Sequence, residues 1–88
     1  MVFISQSAIK YPDGSVETGR RHHQIIYLQA QLGIHSVGAE QGFVDSEGNF
    51  LTRAEAKVVA LKSGQIKPDH EGVLYSEDIW PEREVILE

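Results

Sequence analysis

Cysteine is absent from this 88-residue chain, which rules out disulfides, a thiolate zinc site and a cysteine nucleophile and fits a reducing compartment. Long apolar runs are missing too. No stretch approaches the roughly 20 residues of a membrane-spanning helix, and Met1 to Lys10 has neither the basic start nor the long apolar centre of a secretory signal. A soluble, intracellular protein without a membrane partner is expected. Positive charge is scarce, with 8 Lys and Arg against 13 Asp and Glu and a formal net charge of −5. Affinity for long DNA or RNA comes from many cations meeting phosphates, so that function class is set aside. The Gly-x-x-x-x-Gly-Lys phosphate loop, the Gly-x-Ser-x-Gly elbow and the His-Glu-x-x-His metal motif do not occur.

Against that acidic background one basic knot stands out. Thr18-Gly19-Arg20-Arg21-His22-His23 opens into a helical segment, Gln24 to Leu32. Unpaired N–H groups and the macrodipole make a helix start positive, so acids are favoured there, and two arginines with two histidines run against the rule. An anion docked on those N–H groups and side chains relieves the conflict. The knot is therefore a candidate anion site, weighed against simple solvation of the arginines and packing of the histidines.

The rest of the chain reads as one small α+β domain built on an antiparallel sheet, with two β-hairpins each followed by an α-helix. Val2 to Lys10 is strand-like, Tyr11-Pro12-Asp13-Gly14 supplies a turn, and Ser15 to Thr18 returns. In the first helix Ile25, Leu28 and Leu32 form an apolar stripe, widened by Ile26 and Ala30 and ended by Gly33. Gly42 to Asp45 and Asn49 to Thr52 flank Ser46-Glu47-Gly48 as a second hairpin. Thr52-Arg53-Ala54-Glu55 matches a capping box, so a second helix starts at Arg53, with Ala54, Val58 and Leu61 as its stripe and Ser63-Gly64 as its stop. Val73 to Tyr75 suggests a third short strand, and Ser76 to Asp78 a turn or a single helical turn. Residues 82–88 carry acids and read as a last strand or a tail. Eighty-eight residues give one domain of marginal stability, which self-association would help.

Chemical candidates are few. Adjacent His22 and His23 point to different helix faces and cannot chelate one ion, and His35 and His70 lack carboxylates at ligand spacing, so no metal is expected. Glu77 and Asp78 with His22 or His23 offer an acid–base pairing for a hydrolase, although neighbouring acids in a turn more often cap or face water. Tyr75 and Trp80 are expected in a core or an oligomer seam. Phe43 and Phe50 flank the second hairpin near Arg53, and an aromatic face beside an arginine at a helix start suits a nucleotide. Phe43 is the candidate to face a ligand, with burial of both rings in the core as the alternative.

Ala8-Ile9-Lys10, Val16-Glu17-Thr18-Gly19-Arg20-Arg21-His22-His23, Glu40-Gln41-Gly42-Phe43-Val44, Phe50-Leu51-Thr52-Arg53-Ala54-Glu55-Ala56, Ser63-Gly64-Gln65-Ile66 and Leu74-Tyr75-Ser76-Glu77-Asp78 together resemble the phage Thoeris anti-defence sponge family, in its first-described type. The resemblance implies a small α+β phage protein that binds host immune signals without cleaving them, in the cytoplasm of the infected bacterium. The signals are cyclic ADP-ribose isomers and, for some members, cyclic di- or trinucleotides. It also implies self-assembly, as a homodimer or homohexamer, and no cofactor. His23 and Arg53 are the positions carried over as contacts to a cyclic oligonucleotide, with Arg20, Arg21, His22 and Phe43 added from local chemistry. The connection between Leu32 and Glu40 is short for the family, which puts one of the two ligand classes in doubt. A non-catalytic binding protein is thus expected, with a hydrolase of the same signals or an acidic protein-interaction module as alternatives.

Overall fold

In the computed structural model, which describes residues 2–80, the chain forms a four-stranded antiparallel sheet with helices packed on it. The elements in order are β1 (Ile4–Lys10), β2 (Val16–Gly19), α1 (His22–Gln31), β3 (Glu40–Asp45), β4 (Phe50–Thr52), α2 (Arg53–Ser63) and α3 (Ser76–Ile79). The strand order is β2-β1-β3-β4, so the two expected hairpins lie side by side with their first strands paired. The α+β class and the antiparallel sheet are as the sequence indicates. The acidic residues 82–88, read as a strand or tail, lie outside the described residues.

Local chemistry explains both hairpins. The Asp13 carboxylate accepts from the Ser15 N–H at 2.9 Å and closes the first turn. Asp45 does the same for the second, accepting from the N–H groups of Glu47 and Asn49 at 2.9 Å each, while Gly48 takes the left-handed φ of 88° that the tight return requires.

Cross-strand partners share a face of the sheet, so the pairings Ser7 with Phe43 and Phe43 with Leu51 mark one side. The register shift between Ile4 and Gln6 is a bulge that changes parity, bringing Ile4 onto that same side. The Gln65 side chain makes good the interrupted ladder: its Oε1 accepts from the Ile4 N–H at 2.8 Å and its Nε2 donates to the Ile4 carbonyl at 2.9 Å. α2 packs on β3 and β4, and α1 on β1 and β2. The larger core joins Ile4, Phe43, Ala56, Ala60, Ile66 and Leu74, and the smaller one Ile9, Tyr11 and Ile25.

Three expectations are corrected. α1 begins at His22, two residues earlier than the hydrophobic pattern suggests, and of its expected stripe Ile25 is buried whereas Leu28 and Leu32 face outward. α2 buries Ala56 and Ala60, not Ala54, Val58 and Leu61, because small side chains let the helix sit close to a sheet already filled by Phe43 and Ile4. Val73 to Tyr75 is not a strand. The carbonyls on either side of Val73 accept from helix side chains instead: Gly72 from Lys57 Nζ at 2.6 Å, and Leu74 from Arg53 Nη1.

Candidate functional site

A cleft of about 210 Å³ opens where α1, α2 and α3 begin. α1 contributes His22, His23 and Ile26, β3 contributes Gln41, and α2 contributes Arg53; Tyr75, at the N-cap of α3, forms the rim with Ser76 and Glu77. The capping box fixes Arg53 as the first residue of α2: Thr52 Oγ1 accepts from the Glu55 N–H at 3.2 Å, and Glu55 Oε1 accepts from the Thr52 N–H at 2.9 Å. α1 starts differently. Its N-cap is Arg21, no side chain caps it, and its first turn holds no acid. The first-turn N–H groups there keep their capacity to meet an anion.

Arg53 is the principal charge of the site. Its Nη1 donates to the Leu74 carbonyl and its Nη2 to Gln41 Oε1, so both fixed partners are neutral. Its guanidinium carbon lies 5.2 Å from the Tyr75 ring centroid and 6.0 Å from that of Phe43, within cation–π range of both. Among the described residues no carboxylate forms an ion pair with it. Burial pulls its pKa below the usual value, partly opposed by Tyr75, Glu77 and Asp78, and a guanidinium with so high an intrinsic pKa stays protonated. The result is a pre-positioned, half-buried cation whose positive charge is not cancelled by a direct partner.

His22 plays a different part. Its Nε2 lies 2.6 Å from the Gly42 carbonyl, which can only accept, so Nε2 carries a proton. Burial first, then the charges of Arg53 and His23, hold its pKa below the ordinary histidine value, against the opposing Gly42 carbonyl and Glu77. Around neutral pH His22 is a neutral imidazole with Nδ1 free to accept. A Cβ at position 42 would collide with the Leu51 carbonyl and the Phe50 ring, so the close approach of β4 that sets this carbonyl requires glycine.

The six sequence-derived site residues separate into three groups. His22, His23 and Arg53 come together in the cleft. Arg20 lies elsewhere, 5.7 Å from the Trp80 ring beside Ser5 and Gln6. Arg21 is 1% exposed, and its Nη1 and Nη2 are buried without a hydrogen-bond partner among the described residues. Phe43 is fully buried, so its expected place against a ligand is corrected: it lies beneath the cleft, edge-on to His22 at 4.9 Å between centroids, and supports the site from the core. The adjacent acids Glu77 and Asp78 part company. Glu77 lines the cleft, whereas Asp78 accepts from the Tyr75 N–H at 2.8 Å and meets His70 Nε2 at 3.0 Å on another side.

The family model described as Phage T4 y16D protein matches residues 3–80, almost the whole chain. The chain belongs to this phage protein family. No curated protein and no solved structure matches it. Among the described residues of this y16D-family chain, no helix is long and apolar enough to cross a membrane.

Sequence reasoning missed Gln41 and Ser76 as site residues, weighed Glu77 only as an acid–base partner of His22 or His23 in a hydrolase, and placed Tyr75 in a core or seam. At 54% exposed, Tyr75 is not in the core of the chain, and it is the aromatic face that the cleft presents. The available signal was the short Tyr75-Ser76-Glu77-Asp78 turn, whose Asp78 closes it onto the Tyr75 N–H and so presents the two residues between them to the cleft.

Proposed function

We propose that this phage protein is a non-catalytic sponge for host nucleotide immune signals, acting in the infected bacterium as the resemblance to Thoeris anti-defence sponges implies. The observation that carries the reading is Arg53: a guanidinium held by neutral acceptors, facing a cleft where α1 and α2 start, in a chain of formal charge −5. An isolated cation half out of water is costly, and a phosphate restores the balance. His23 and the first-turn N–H groups of α1 add donors, and Tyr75 adds a flat face for a base. Cyclic ADP-ribose isomers and cyclic di- or trinucleotides all combine phosphate with a stackable base.

At about 210 Å³ the cleft is smaller than pockets that enclose drug-sized ligands, roughly 300–1,000 Å³, so a cyclic dinucleotide needs further walls. A second copy of the chain supplies them in this reading. α1 lines the cleft with His23 and Ile26, and the same helix exposes Tyr27 and Leu28, followed by Leu32 and Val37. A copy seated on that apolar face is carried to the cleft's edge.

Incubating the protein with cyclic di-GMP, cyclic di-AMP and cyclic ADP-ribose isomers, then denaturing it and weighing what is released, tests the reading. Intact ligand is expected. Arg53→Ala and His23→Ala each weaken binding by about 1–3 kcal/mol, the scale of charge-assisted and stacked contacts, as read by titration calorimetry. Unchanged affinity in both variants removes the cleft from the account. The rival reading is a hydrolase, favoured by His23 and Glu77 sharing one cleft. Multiple turnovers under excess ligand would establish it and end the sponge proposal.

A further inference from the structure

A phosphate site does not by itself call for a carboxylate, yet Glu77 lines this cleft with Arg53 and His23. Its charge acts on both Arg53 and His22, favouring their protonated forms, and so opposes any phosphate brought to them. Asp78 next to it is consumed by structure, closing the turn at Tyr75 and meeting His70. Glu77 has no such duty. Among the described residues its one side-chain hydrogen bond comes from the Ser76 hydroxyl at 3.5 Å, and it forms no ion pair. An ionised carboxylate only accepts, so the ligand group it suits is one that presents donors.

On a base-bearing ligand those donors lie on the base edge or the sugar. Tyr75, the exposed ring of the cleft, stands two residues before Glu77 on the same short turn. A base stacked on Tyr75 has its edge within the region that Glu77 borders. Guanine offers N1–H and the N2 amino group side by side, one donor for each carboxylate oxygen. Adenine offers its N6 amino group beside the N1 lone pair, and that lone pair meets a carboxylate oxygen with no proton between them.

Resting on the nucleotide reading above, we propose that Glu77 is a specificity-determining residue that selects guanine over adenine in the bound ligand. A site whose acceptors are left unmatched by the wrong base discriminates strongly, because binding strips the water from groups that then find no partner.

Titration of the full chain with cyclic di-GMP and cyclic di-AMP tests this, since the two probes share sugars and phosphates and differ only in their bases. The wild type is expected to bind cyclic di-GMP at least about tenfold more tightly, the scale of one good two-bond base contact. Glu77→Gln replaces one acceptor oxygen with a donor amide, which matches the adenine edge, so the preference is expected to shift by about tenfold toward cyclic di-AMP or to reverse. Equal affinity of the wild type for the two probes overturns the proposal. So does a Glu77→Gln variant that gains equally for both, which is the signature of a carboxylate that only repels phosphate. In either case, loss of both probes in Arg53→Ala leaves the nucleotide site standing and removes only the base selection. Failure of the wild type to bind either probe overturns the base selection together with the cyclic-oligonucleotide part of the reading it rests on.

Discussion

The two hairpin–helix units of this chain share an outline and differ in what their helices do. In the second unit, α2 is held at both ends, by the Thr52–Glu55 capping box and by Gly64 at a left-handed φ of 81°, and it buries Ala56 and Ala60 against the sheet. In the first, α1 has no side-chain cap, only His22 and Ile25 are buried in it, and Tyr27, Leu28 and Leu32 are exposed by 60% or more. Half of the larger core, Phe43, Ala56 and Ala60, comes from the second unit, and Ile4 is the first unit's one residue in it. The second helix is thus fixed by its caps and its burial, and the first is left with uncapped N–H donors and exposed apolar surface. Helix order is concentrated in the second unit, whereas the cleft takes residues from both, His22, His23 and Ile26 from the first and Gln41 and Arg53 from the second.

The strongest way to break this comparison is in the core of the second unit. Phe43→Ala removes a fully buried ring that also supports His22, and should cost about 3–5 kcal/mol in urea denaturation, a large part of a small domain's stability. A loss below about 1 kcal/mol would mean that the core does not sit where the contacts place it. The matched change in the first unit is Leu28→Ser with Leu32→Ser. It should leave unfolding within about 0.5 kcal/mol, as for most surface changes, while weakening the proposed self-association in sedimentation at least about tenfold. A double variant that associates as the wild type does would take the α1 face out of the proposed self-association.

The same contrast explains what could be read from the residues alone. Hairpins and caps rest on contacts a few residues apart, and they were legible: the Tyr11 to Gly14 turn, the Gly48 return, and the Thr52–Glu55 reciprocity all stand. Which face of a helix turns inward was not, because apolar spacing marks two stripes on α2 equally well. The choice of Ala56 and Ala60 over Val58 and Leu61 depends on how much room Phe43 and Ile4 leave on the sheet. In the site, His23 and Arg53 were singled out by the family resemblance, His23 also as part of the basic knot and Arg53 as a cation at a helix start. Gln41 joins them only through the pairing of β3 in the sheet, and Tyr75 and Ser76 only because the return of the chain after α2 sets α3 beside them. Val73 to Tyr75 misled for a related reason: strand-forming side chains are present, but the neighbouring carbonyls bond to Arg53 and Lys57 rather than to a strand.

A smaller effect sharpens the difference between the helix starts. Thr52→Ala removes the oxygen that accepts from the Glu55 N–H and should cost about 1 kcal/mol, the usual value of an N-cap. Thr52→Ser, which keeps the oxygen, should recover most of it. Because Arg53 follows directly, the Ala variant should also loosen the guanidinium and weaken ligand binding. If stability falls and affinity holds, the cap serves only the helix.

The smallest expected effect concerns His22, the buried residue of the helix start that lacks a cap. Burial, the largest influence, holds its folded-state pKa below the ordinary value of about 6.5, so the unfolded chain takes up the proton first as pH falls. The sign follows from that order: stability is fully present above about pH 6.5, declines as pH drops from there, and is lost once pH passes the folded-state value. Asp13 and Asp45 are also shifted down, by N–H donors in their turns, but their loss occurs below the ordinary carboxylate range and leaves the histidine window clear. Urea denaturation between pH 7.5 and 5, chosen to bracket the ordinary histidine value, should show this decline in the wild type and a shallower one in His22→Gln, which cannot take up the proton. Equal slopes would mean that the histidine is solvated rather than held neutral against the Gly42 carbonyl, and the first-unit helix start would then be as open to water as its missing cap allows.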